Sequence, residues 1–120
     1  MQIIGVDYIE YEPFNFVRKI QDFKNVKNAI FDFDESFLKG HKEKFSIICH
    51  DKNQVLLSNA SGAKYIILKD ESLAKWAVKM AEFYMFDSKI SLIIKSTDEL
   101  TNCADIGVDC AILKNAINEI

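Results

Sequence analysis

The chain has little of what marks several protein classes: one proline and four glycines in 120 residues, three cysteines and two histidines. So little Pro and Gly, beside 49% apolar residues, excludes collagen-like, low-complexity and disordered chains. No apolar run approaches the roughly 20 residues that cross a bilayer, and the opening MQIIGVDYIEYEP has no basic region leading into a long apolar stretch. A cytoplasmic chain without membrane insertion is expected. Cys49, Cys103 and Cys110 cannot all pair and show no C-x-x-C spacing, so they read as small buried hydrophobes in a reducing compartment. His41 and His50 are too few, and too far in sequence from other ligand types, to argue a metal. Basic excess is missing too: 15 Lys and Arg stand against 18 Asp and Glu, a net charge of -3, which offers no general attraction to nucleic acid or an anionic membrane.

What is present is enough apolar material for one packed core, and residues 1–120 are expected to form a single domain. Short continuous apolar runs alternate with segments of helical period, the pattern of strands buried on both faces of a parallel sheet. Six strands are predicted: Gln2 to Val6, Asn28 to Phe33, Phe45 to Cys49, Lys64 to Leu68, Ile90 to Ile94 and Asp109 to Leu113. Pro13 suits a first helical turn, and Phe16, Ile20 and Phe23 follow at i, i+4 and i+7, which predicts a helix between the first two strands. Ser36 to Lys44 allows at most two helical turns. Further helices are expected over Gln54 to Ser61 with Asn53 as cap, over Glu71 to Phe86, and over Asp98 to Ile106 with Thr97 as cap; Gly62 and Gly107 punctuate the returns to the sheet. In the longest helix Leu73, Ala77, Met80 and Tyr84 form the stripe that covers the sheet. Trp76 and Phe83 flank that stripe as a surface for another chain.

In a doubly wound sheet, ligands bind beyond the carboxyl ends of the strands. Those ends read as an acidic rim with a few lysines: Asp7, Glu10 and Glu12 after the first strand, Asp32 and Asp34 after the second, His50-Asp51, Lys69-Asp70, and Lys95-Ser96-Thr97. The bland readings are a solvated acidic loop for Asp7 to Glu12, a loop histidine at His50 and a buried thiol at Cys49.

The alternation of strand and helix, the acid ending the second strand, His50-Asp51 after the third, and the stretch from GAKYIILKDESL to GVDCAIL together resemble the KTN/RCK family. These are TrkA-N type nucleotide-binding domains that regulate potassium channels and transporters. The resemblance covers nearly the whole chain. It implies a three-layer α/β fold, a doubly wound parallel sheet of Rossmann-like type with six strands in the order 3-2-1-4-5-6. It also implies cofactor-contacting positions at Gly5, Asp7, Asp32, Asp51, Lys69 and Asp70, with Asp32 matching the ribose-binding acid and Asp51 the Asp of a Gly-Asp pair.

Dinucleotide binders of this kind carry G-x-G-x-x-G after the first strand, whereas Asp7 and Glu10 stand here where the later glycines belong. Their carboxylates would oppose a diphosphate, so ordinary NAD binding is not expected. No resident cofactor is expected, an adenine nucleotide being the one candidate left. The implied function is a non-catalytic regulatory or assembly module, homodimeric through Trp76 and Phe83, with a potassium channel or transporter subunit as partner and no catalytic or metal residues. A second resemblance, of AIFDFDESFL to the first motif of haloacid dehalogenase-like phosphatases, implies instead a small Mg2+-dependent phosphohydrolase. It would use Asp32, Asp34 and Ser36, with Ser96 or Thr97 and Lys69 or Lys95 in support.

Overall fold

The structure, a computed structural model, describes residues 1–40 and 43–119. Among the described residues eight strands form one sheet: β1 Gln2–Ile4, β2 Phe14–Phe16, β3 Ala29–Asp32, β4 Ser46–Ile48, β5 Tyr65–Leu68, β6 Lys89–Ile94, β7 Cys110–Leu113 and β8 Ile117–Glu119. Four helices of the described residues lie between them, α1 Glu35–Gly40, α2 Lys52–Ala60, α3 Glu71–Tyr84 and α4 Leu100–Ile106. All strand pairs are parallel and the order is β1-β7-β6-β5-β4-β3-β2-β8. All six expected strands are present, and the α/β, all-parallel character holds. The expected order 3-2-1-4-5-6 does not, and neither do three layers.

The reason lies between residues 13 and 25. The expected helix there is replaced by β2 and a 3-10 turn, Ile20–Asn25. Phe14-Asn15-Phe16 alternates as a strand does: Phe14 is buried in the inner core, and Asn15 sends its side-chain amide to the Lys27 carbonyl at 2.7 Å. Phe23 instead leaves helical spacing to pack edge-on against Phe31 and Phe37, with ring centroids 5.6 and 5.0 Å away. Tertiary contacts override the local period.

From β2 to β7 each strand lies beside the next in the chain, so the sheet is wound in one direction only. Right-handed crossovers then put every helix on the same face. Phe31, Ile47, Ile66, Leu92 and Ala111 face the helices and join Val55, Leu73, Ala77 and Cys103 in an outer core. The opposite face carries Ile4, Phe14, Ile30, Ile48, Ile67 and Ile112, a second core with no helix to cover it. It is covered by curling. In the sheet β7 and β8 stand six strand spacings apart, roughly 29 Å if flat. Only the three-residue turn Lys114–Ala116 joins them, a link that reaches at most about 14 Å. The sheet must bend round until its ends meet. Contacts across the interior show that it does. On β5, Tyr65 donates its hydroxyl hydrogen to Gln2 Oε1 at 2.9 Å on one side, and on the other packs edge-on against Phe14 at 5.8 Å.

Closure brings the first segment of the chain alongside the last, β1 on β7 and β2 on β8. Gly5 sits where they pass. Its φ is +114°, and a Cβ there would lie 2.8 Å from Leu113 Cβ and 3.2 Å from Ala116 Cβ. Asn115 Nδ2 donates to the Gly5 carbonyl at 3.0 Å. Among the described residues no helix is long and apolar enough to cross a membrane.

Replacing Gly5 by Ala forces both a left-handed φ and a clash with the Cβ atoms of Leu113 and Ala116, so urea denaturation should show a loss of roughly 2 kcal/mol or more. At Gly40, where an added Cβ meets nothing within 4 Å, the same change should leave stability unchanged or slightly higher. Equal effects at the two positions would contradict this account of the closure.

Candidate functional site at the carboxyl ends of the strands

Parallel strands deliver all their carboxyl ends to one rim of the curled sheet. There β3 ends on Asp32, and His50 follows β4 by two residues. His50 Nε2 and Asp32 Oδ1 are 2.8 Å apart, with side chains 51% and 55% exposed. The backbone around His50 is held as well: its N–H donates to Gln54 Oε1 at 2.8 Å, while Gln54 N–H donates to Asp51 Oδ1 at 2.8 Å. A carboxylate on one strand thus orients an imidazole on its neighbour, an arrangement suited to holding or moving a proton. In the open it contributes little to stability. Sequence reasoning placed Asp32 in the site and set His50 aside; their positions at the ends of consecutive strands were the available signal.

The other rim acids serve the helices. Asp51 is the N-cap of α2, two residues before the expected Asn53, and Asp70 caps α3 by accepting from Leu73 N–H at 2.8 Å. Asp34 Oδ1 accepts from Phe37 N–H at 3.1 Å in the first turn of α1. Ser96, in place of the expected Thr97, caps the 3-10 turn Thr97–Glu99 that leads into α4, and Glu99 reaches back to the N–H groups of Lys95 and Ser96 at 2.7 and 3.3 Å. Glu12 pairs with Lys27 at 3.8 Å. Asp7 lies in an exposed turn, and Lys69 is exposed at the end of β5. Gly5, expected to approach a phosphate, makes its close approach to Leu113 and Ala116. No group of three His, Cys, Asp or Glu side chains is placed to hold a metal among the described residues, and His41 lies outside them.

All three cysteines are buried and free. Cys49 Sγ lies 3.3 Å from Ser58 Oγ under α2. Burial pushes the thiols of Cys49 and Cys110 up to about 11, and raises Cys103 as well. They are held as neutral thiols, poor nucleophiles and poor ligands.

The long helix differs from its expected face. It buries Leu73, Ala74, Ala77 and Val78, and Tyr84, expected against the sheet, is 63% exposed. Tyr84 keeps the angular position of Leu73 and Ala77 but is the last residue of the helix, beyond its last buried residue Val78. Trp76 is half-buried against the outer core, with Lys52 Nζ 5.3 Å from its ring centroid. Phe83 is 74% exposed and Met85 84%.

No family model and no curated protein matches this sequence.

Asp51→Ala and Asp70→Ala should each cost about 1 kcal/mol in chemical denaturation, as lost helix caps do, whereas Asp32→Asn should change stability far less. The thiols give a pH dependence of definite sign. In the unfolded chain they ionise near 9.0, in the folded one near 11 for Cys49 and Cys110. Between those values the folded state holds more protons, so stability should fall as pH rises from about 9 to about 11. A flat denaturation midpoint over that window would show the thiols to be solvated.

Proposed function

We propose that this chain is a non-catalytic assembly or regulatory module that docks a second copy of itself at the end of α3. One observation carries the reading: Phe83, Tyr84 and Met85 stand exposed in succession, with the Phe83 and Tyr84 rings in edge contact at 4.7 Å. The helix stops there because Met85 turns into the left-handed region at φ 54°, its N–H closing on the Ala81 carbonyl. Glycine or asparagine would make that turn with less strain. A large apolar side chain in its place, beside two exposed aromatics, is what a contact surface requires and a solvated loop does not. Leu56 and Leu57 are two further exposed apolar side chains of the helical layer, on α2. A patch meeting its own copy closes by two-fold symmetry.

The link to potassium transport, with a channel or transporter subunit as partner and an adenine nucleotide as the candidate ligand, rests on the sequence resemblance alone. The phosphohydrolase reading would need both of its acids free. Of its two acids, Asp34 is occupied by the first turn of α1 and Asp32 by His50.

Light scattering over a dilution series should return twice the chain mass at high micromolar concentration. Phe83→Lys combined with Tyr84→Glu, both surface changes that spare the core, should give a folded monomer. A wild-type monomer at the highest concentration, or a double variant that stays dimeric, would overturn the proposal.

A further inference from the structure

Three strand ends of this protein are built alike. After β4 come His50 and the cap Asp51, after β5 Lys69 and the cap Asp70, after β6 Lys95 and the cap Ser96. In each pair the second residue turns its oxygen to the backbone of the following helix or 3-10 turn. Carried past the strand end, the alternation of the strand assigns the first to the inward row. Strand side chains alternate between faces, and Ile48, Ile67 and Ile93, two residues earlier, belong to the inner core. The ladder sets their levels: Ile48 pairs with Ile67 and Ile67 with Ser91, which puts His50 level with Lys69 and Lys95 two residues further out along β6. On β3, Asp32 follows inward-facing Ile30 in the same way.

The alternation thus sorts the rim by charge. Acids and a hydroxyl at cap positions are spent on helix starts, while on this alternation the inner rows of β3, β4, β5 and β6 end in Asp32, His50, Lys69 and Lys95. Among the described residues neither lysine forms an ion pair, whereas Asp32 pairs with His50. Adjacent strands lie about 4.8 Å apart and two residues add about 6.6 Å along a strand, a separation that long lysine side chains can close onto one shared group. Two unpaired ammonium groups beside an imidazole fixed by a carboxylate match an oxyanion, which takes several charge-assisted hydrogen bonds at once.

We propose that the carboxyl-end mouth of the curled sheet is a binding site for a small molecule bearing an oxyanion, phosphate or carboxylate. Lys69 and Lys95 supply charge, and His50, oriented by Asp32, supplies a third contact. The site is independent of the α3 contact: α3 begins at this rim and ends, at Tyr84, at the opposite end of the sheet, so either proposal can fail without the other.

The test is a titration of the isotope-labelled protein followed by NMR, with inorganic phosphate and citrate as probes and sodium chloride holding ionic strength constant. Saturable shifts at the amides of His50, Lys69 and Lys95 are expected with at least one probe, and which probe saturates tells phosphate from carboxylate. Lys69→Gln with Lys95→Gln, both exposed positions, should keep the melting temperature and weaken binding by about 10-fold or more, as loss of two charged contacts requires. Lys24→Gln with Lys64→Gln should leave binding unchanged; these lysines line a cleft of about 300 Å3 at the amino ends of the strands. Shifts that never saturate, shifts spread equally over Lys24 and Lys64, or wild-type affinity in the Lys69 and Lys95 double variant would each overturn the proposal.

Discussion

A parallel sheet wound in one direction has helices for only one of its two apolar faces, and the rest of this structure follows from how the other face is removed from water. The inner residues Ile4, Phe14, Ile30, Ile48, Ile67 and Ile112 come from six strands and are buried against one another. That requires curvature, and curvature requires the ends of the sheet to be fastened. The fastening is the pairing of the first segment with the last, through β1 on β7 and β2 on β8. Gly5 lets the two backbones pass, and Tyr65 ties the floor to Gln2 and Phe14.

The same geometry organises the rim. Strand alternation and helix capping together decide which polar residue points where. A residue directly before a helix is drawn to that helix's free N–H groups. A rim that reads as acidic along the sequence becomes, in three dimensions, a set of helix caps beside the His50–Asp32 pair, with Lys69 and Lys95 exposed next to the caps. The hydrogen bonds of Asp51 and Asp70 account for those carboxylates without any ligand.

Six strands were legible because apolar runs such as KYIIL and ISLII admit few other readings, and α3 was legible from its length and period. The strands β2 and β8 were not. Each has three residues, too few to show a period, and they pair with each other across about a hundred residues of chain, β2 lying between β3 and β8. Phe16, Ile20 and Phe23 imitated a helix because the aromatic side chains that serve the two cores happen to fall at helical intervals. Strand order was beyond the sequence for a related reason: doubly wound and singly wound sheets share one alternation of elements, and only the missing crossover between the first two expected strands separates them. At the site, Asp32 was recognised by its place after a strand, whereas its partner was not, since pairing depends on the adjacency of β3 and β4. The repeated pattern of a basic residue before a cap at Lys69 and Lys95 lay open in the sequence.

The fastening of the sheet by its two ends also bears on how the chain comes to be made. During synthesis β3 to β6 and their helices can assemble as each emerges, since every strand pairs with its immediate neighbour. The inner face cannot be completed until Cys110–Leu113 and Ile117–Glu119 have left the ribosome. Until then a nascent chain presents an isoleucine-rich concave surface and unpaired strand edges to its surroundings, the kind of species that aggregates or recruits chaperones. The last ten or so residues of the described chain thus act as a latch, and the interval before they arrive is the most hazardous in the life of the molecule.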